Sequence, residues 1–168
     1  MTRRQVLAGI SALATHALFP EVLEAFARAA AASPQDWHPE AVVAEQGPVL
    51  AEVVETILPA TDTPGAKAAR VHVFVDLALA RCALPAARAA AVSALRGLGA
   101  AFLAAAPDAR RAALGRLDSA PLALLQELTV LGYFSSEIGA TQALAYDPLP
   151  GAYRGCVDLA PGQKAWAT

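Results

Sequence analysis

The chain has 168 residues, the size of one ordinary domain or of a smaller domain behind a processed leader. Alanine supplies 43 residues and leucine 22, whereas isoleucine occurs 3 times and aromatics make up 6%; strong helix formers dominate and strand formers are scarce, which excludes a β-sandwich or barrel. An apolar share of 56% excludes a disordered chain, and a net charge of −2, with 11 Arg and 2 Lys, excludes a generic basic nucleic-acid binder.

The first element is a leader. Arg3 and Arg4 form a pair preceded by Thr2 and followed by Val6-Leu7. A weakly apolar segment and a small-residue zone around Ala25, Ala27 and Ala29 to Ala32 come next, the layout of an export signal. The arginine pair resembles the twin-arginine signal, read by a receptor that passes folded proteins. The large aromatic usual at the Val6 position and the lysine usual at Ala8 are missing, and Glu21 and Glu24 lie inside the cleavage zone. The uncharged run from Gln5 to Pro20 is shorter than the roughly 20 apolar residues a bilayer-spanning helix needs, and no later stretch does better. The sequence therefore divides into a signal segment over 1–32, a linker over 33–47 opening with Ser33-Pro34-Gln35-Asp36, and a helical domain over 48–168.

Within that domain, Val49, Leu50, Val53, Val54, Ile57 and Leu58 repeat at helical spacing between Pro48 and Pro59. Val71, Phe74, Val75, Ala78, Leu79 and Cys82 form a second stripe, with His72, Asp76 and Arg81 on the polar side. A third helix is predicted from Pro85 to Ala105, burying Ala91, Leu95, Leu98 and Phe102, with Gly97 and Gly99 as weak points. A short helix follows over Asp108 to Leu117. Another is capped by Ser119 and carries Leu124, Leu125, Leu128 and Leu131 on its inner face. Residues 136–146 are predicted helical. The arm over 147–168 holds too much Pro and Gly for regular helix, yet carries Leu149, Tyr153, Val157, Leu159 and Trp166, so it is expected to be ordered against the body or a partner. The fold expected is all-α: a compact bundle of about five to six helices with an irregular, ordered C-terminal arm.

Parts for independent catalysis are not legible. There is no dinucleotide fingerprint, phosphate loop or Cys-x-x-Cys pair, and His16, His38 and His72 are far apart in sequence. Asp36-x-His38 is a weak metal-like spacing, and His72 reads as exposed or partner-facing. Ser135-Ser136-Glu137 reads as a helix cap rather than a nucleophile with its base. Cys82 and Cys156 can pair within the chain, where a loop of about 75 residues would restrain the unfolded state by several kcal/mol; they can instead bridge to a partner or remain thiols.

Two blocks go beyond composition. One is Ile57-Leu-Pro-Ala-Thr-Asp-Thr-Pro-Gly-Ala66 with Val71-His-Val-Phe-Val-Asp76. The other is Glu127-Leu-Thr-Val-Leu-Gly-Tyr-Phe-Ser-Ser-Glu-Ile-Gly139, continuing into Tyr146-Asp-Pro-Leu-Pro-Gly151, Tyr153, Cys156 and Lys164-Ala-Trp166. With the arginine pair, these resemble the gluconate 2-dehydrogenase subunit 3 family over Leu50 to Trp166. The resemblance implies a non-catalytic small subunit with no cofactor of its own. Its partner would be a large subunit of the glucose–methanol–choline oxidoreductase type that holds FAD and oxidises a sugar, polyol or glycoside. A cytochrome c subunit belongs to the same expectation, as does haem c or an iron–sulfur cluster elsewhere in the complex. So do passage through the twin-arginine translocase and a periplasmic place, in some cases at the inner membrane. The alternatives are an independent periplasmic helical binding protein and a membrane-anchored scaffold. Thr63 can cap a helix begun by Pro64, with Asp62 bracing the turn. Thr61, Asp62, Thr63, Pro64 and Gly65 are candidates for contact with the flavoprotein, and Tyr133, Phe134, Tyr146, Tyr153 and Trp166 are candidates for interface anchors or plain core.

Overall fold

The computed structural model describes residues 37–149, 151–152, 158 and 160–167. Arg3, Arg4, Tyr153 and Cys156, with the whole predicted signal segment, lie outside them. Five α-helices occur among the described residues: α1 (Gly47–Ile57), α2 (Val71–Arg81), α3 (Pro85–Ala104), α4 (Pro107–Leu114) and α5 (Ser119–Phe134). A 3-10 turn (Ala44–Gln46) precedes α1, and a single π-helical turn (Gly139–Ala143) follows α5. The described residues form no named strand, and the all-α expectation holds.

Proline sets three of the starts, at or next to the first position of α1, α3 and α4, where its missing N–H has no helical partner to lose. The core is aliphatic. Leu50, Val53, Val54, Val71, Val73, Val75, Leu79, Leu95 and Leu125 are fully enclosed. Helix α1 touches all four other helices; α2, the most enclosed, packs most extensively on α5 and also on α1, while α3 spans α1 and α5. Each fully buried aliphatic side chain contributes roughly 1.5–3 kcal/mol relative to exposure, so this cluster dominates the stabilisation.

The enclosure of α2 corrects two expectations. Asp76, placed on the polar side by the spacing, is fully buried. Its Oδ2 accepts the Glu40 N–H at 2.8 Å, and its Oδ1 accepts those of Ala41 and Val42 at 2.9 and 3.1 Å. A helix wrapped on every side has no solvated face, so its one carboxylate is satisfied by backbone donors. His72 is half-buried, its ring edge-on to Trp37 with centroids 4.9 Å apart. From Trp37 onward, the segment expected to be a linker therefore lies folded onto α2.

Other differences are local. Asp118, not Ser119, occupies the cap of α5, and no side chain completes that cap. Leu131, assigned to the inner stripe, is exposed. Cys82 is exposed beyond the end of α2 rather than on its apolar face. Of residues 136–146 only 137–143 are helical, because the chain becomes extended at Leu144. Helix α3 meets the length and mean hydropathy of a bilayer span, over 20 residues at 1.2, contrary to the expectation that nothing after the leader does so. Its helical geometry is nevertheless broken at Gly99, which takes φ 58° and ψ −164°, a conformation open to glycine and foreign to a helix. Arg88 and Arg96 also sit along it.

Candidate functional site

The two sequence blocks meet at one end of the bundle. Helix α1 stops at Leu58, and the chain runs through Pro59 to Arg70 before α2 begins. The Glu55 carboxylate organises this connection. Its Oε1 accepts the Ala60 N–H at 3.1 Å and its Oε2 the Lys67 N–H at 2.8 Å. Gly65 sits against that carboxylate so closely that a Cβ there would overlap it. The Leu58 carbonyl takes the Ala66 N–H, closing the loop at its base.

Inside the loop, Thr61 N–H donates to the Thr63 carbonyl at 3.0 Å, and the Thr61 hydroxyl to Asp62 Oδ1 at 2.8 Å. That hydroxyl is the main reason the Asp62 carboxyl lies below its ordinary pKa, and the Lys164 ammonium contributes from the C-terminal arm. Asp62 thus braces the turn as expected. Pro64, however, begins no helix; the backbone passes through turns until α2. The Pro64 carbonyl instead receives the Tyr133 hydroxyl at 2.7 Å, which ties the loop to the last turn of α5 across 69 residues. Tyr133 is therefore core, while Phe134, edge-on to it at 5.2 Å, faces outward.

The chain then doubles back. The Ser136 hydroxyl donates to the Tyr133 carbonyl at 2.6 Å and accepts the Gly139 N–H at 3.0 Å, so the Ser-Ser-Glu sequence is a cap. Ala145 pairs with the arm in a parallel bridge to Trp166: its N–H donates to the Ala165 carbonyl, and its carbonyl accepts the Ala167 N–H, both at 2.8 Å. Lys164 Nζ also donates to the Gln142 carbonyl. The described end of the arm is thus ordered on the body.

This end of the molecule leaves large apolar side chains uncovered. Val130, Leu131 and Phe134 share the outer face of α5, and Tyr146, Leu149 and Trp166 follow on the returning chain; all six are 39–78% exposed. Thr61 and Asp62 are exposed beside them, Thr63 and Pro64 half-buried, and Gly65 buried. Large exposed apolar patches are in general a mark of interaction surfaces.

On the far side of the loop, Glu52 of α1 pairs with Lys67 and with Arg110 of α4. The Lys67 hydrogen bond leads in lowering the Glu52 pKa, the charges of Lys67 and Arg110 add to it, and burial opposes it. Arg110 also donates to the Phe102 and Leu103 carbonyls at 3.0 and 2.6 Å, closing the C-terminal end of α3. No motif or spacing points to Glu55 or Arg110 in these roles. Both act through loop carbonyls and N–H groups whose positions depend on tertiary packing.

Among the described residues, no three His, Cys, Asp or Glu side chains converge as a metal site. A cavity of about 300 Å³ lies beside Arg70. No curated protein and no solved structure matches the chain significantly. The family model of gluconate 2-dehydrogenase subunit 3 matches residues 44–151, from the turn before α1 through the extended segment after α5, and the arm beyond 151 lies outside that match. The chain belongs to the gluconate 2-dehydrogenase subunit 3 family.

Proposed function

We propose that this chain is the non-catalytic small subunit of a periplasmic or membrane-associated FAD-dependent dehydrogenase acting on CH–OH groups of a sugar, polyol or glycoside. In this reading a large subunit of the glucose–methanol–choline oxidoreductase type holds the FAD and the reacting groups. The small subunit binds and stabilises it, and the Arg3-Arg4 leader escorts the folded pair through the twin-arginine route. The observation that carries the reading is the uncovered apolar face on α5 and the returning chain, placed inside or beside the family segment. Flavin must enter the large subunit before export, so the cargo is folded. One twin-arginine leader then suffices for a tight heterodimer. A cytochrome c subunit would take the electrons onward.

The test is co-expression of the full chain with the flavoprotein. The pair should purify as a yellow complex, and replacing Arg3 and Arg4 by Lys should leave the dehydrogenase activity in the cytosol. Activity that still reaches the periplasm would contradict the escort role, and failure to co-purify would contradict the subunit role.

A further inference from the structure

The uncovered apolar face is bordered by carboxylates. Exposed Glu127 lies one helical turn before Val130 and Leu131 and two before Phe134, on the same side of α5. Glu137, also exposed, follows Phe134 by three residues. Asp147 stands between Tyr146 and Leu149, where its Oδ1 accepts the Leu149 N–H at 2.9 Å. Asp62 is exposed on the loop that Tyr133 fastens to α5. The cations at this end are fewer and less free. Lys164 donates to the Gln142 carbonyl and acts on Asp62, and half-buried Arg70 lines the cavity that Glu137 borders. Exposed arginines gather elsewhere, with Arg96 on α3, Arg111 on α4 and Arg116 just beyond it, and α4 packs on α1 and α3. The chain thus carries acid where its apolar surface is open.

That pattern selects the occupant. In a symmetric pair of copies each face would meet its own kind, acid rim against acid rim, and like charges set against each other are costly. An anionic lipid surface repels the same carboxylates, although Tyr146 and Trp166 are residue types that settle at membrane interfaces. A protein patch with an apolar centre and a basic border satisfies both parts of the face. Its centre excludes water, and its border gives steering and register. We infer that the α5 face receives an apolar patch of the flavin-bearing subunit bordered by Arg or Lys, with Glu127, Glu137, Asp147 and Asp62 steering it into place. The inference rests on the subunit reading above.

The test measures the association rate of the purified full-length chain with the purified flavoprotein from low to high salt. The parent's rate should fall steeply as salt rises, as it does for opposite charges. A Glu127→Gln, Asp147→Asn pair removes two charges, and the asparagine keeps an acceptor for the Leu149 N–H. It should slow association about fivefold at low salt with little change in dissociation. Near 1 M salt, where screening acts within about 3 Å, it should match the parent. The free variant should unfold at the parent's temperature; if it fails to fold, Glu137→Gln carries the comparison. Glu45→Gln makes the same kind of change before α1, roughly 16 Å from the loop along that helix. It should leave the rate within about twofold of the parent's. A parent rate that is flat or rises with salt, an unchanged rate for the double variant, or an equal loss with Glu45→Gln overturns the basic-bordered occupant and leaves the subunit reading intact. Self-association, or binding to phosphatidylglycerol vesicles, that is lost in Leu131→Glu gives the face to a second copy or to lipid and also overturns it. A parent with no affinity for the flavoprotein overturns the subunit reading itself.

Discussion

Asp76 shows how one residue escapes a pattern-based reading. Its position between Val75 and Leu77 looked like the polar edge of an amphipathic helix, yet three N–H groups from residues 40–42 converge on it. Asp76→Ala should cost about 3 kcal/mol in urea unfolding, since hydrogen bonds to a charged group contribute about 1.5–3 kcal/mol each and three donors are orphaned together; a loss within 0.5 kcal/mol, about the scatter of surface changes, would contradict this role. His72 makes a pH-dependent contribution. Burial first, then the charges of Arg70 and Lys67, pull its pKa from 6.5 to about 4. Between those values the unfolded state binds the extra proton. Stability should therefore be complete above about pH 6.5 and fall as the pH drops toward 4. His72→Gln should flatten that part of the profile, and an unchanged profile would show that another group is responsible. Glycine positions rank by what surrounds them. A Cβ on Gly139 would meet the Tyr133 backbone, and one on Gly132 the Phe74 ring at 2.5 Å, whereas one on Gly65 would meet only the end of the Glu55 side chain. Thermal unfolding of the three alanine variants should follow that order, Gly139 worst and Gly65 mildest, with overpacking costs of about 1–3 kcal/mol for the rigid sites.

At the scale of elements, helix existence was legible and helix surroundings were not. Proline at the starts, and apolar spacing in α1 and α3, located those helices to within a residue or two. The spacing could not show that α2 is enclosed on all sides, because its stripe is also compatible with one solvated face. Nor could it show that α5 is left open where Leu131 was expected inside. The helical stretch expected over 136–146 covers only 137–143, because Ser136 caps it on the Tyr133 carbonyl and the chain must then extend to meet Trp166. The meeting of the Thr-Asp-Thr-Pro-Gly loop with Tyr133 depends on a contact 69 residues apart, which spacing alone does not encode. The two faces of α5 make opposite predictions. Leu125→Ala, in the closed core, should cost about 2–5 kcal/mol of stability. A Leu131→Glu, Phe134→Glu pair on the open face should leave the isolated chain within about 0.5 kcal/mol per site of its parent and abolish capture of the flavoprotein. Retained capture would remove α5 from the interface.

For the whole molecule, the family blocks mattered because they are parts of one surface. The loop after α1, the end of α5 and the returning arm converge at one end of the bundle, while the opposite side of the loop is fastened by Glu52, Lys67 and Arg110. Such a body is built to present a fixed face, and no three His, Cys, Asp or Glu side chains converge among its described residues. In the proposed reading, redox chemistry falls to the partner. The decisive measurement is sugar-dependent dye reduction by the purified chain alone, by the purified flavoprotein alone, and by their complex, with flavin absorbance recorded on each. The account predicts no turnover and no flavin on the isolated chain, and a complex that is active and more heat-resistant than the flavoprotein by itself. Turnover by the isolated chain, or no change in the flavoprotein when the chain is added, would contradict it.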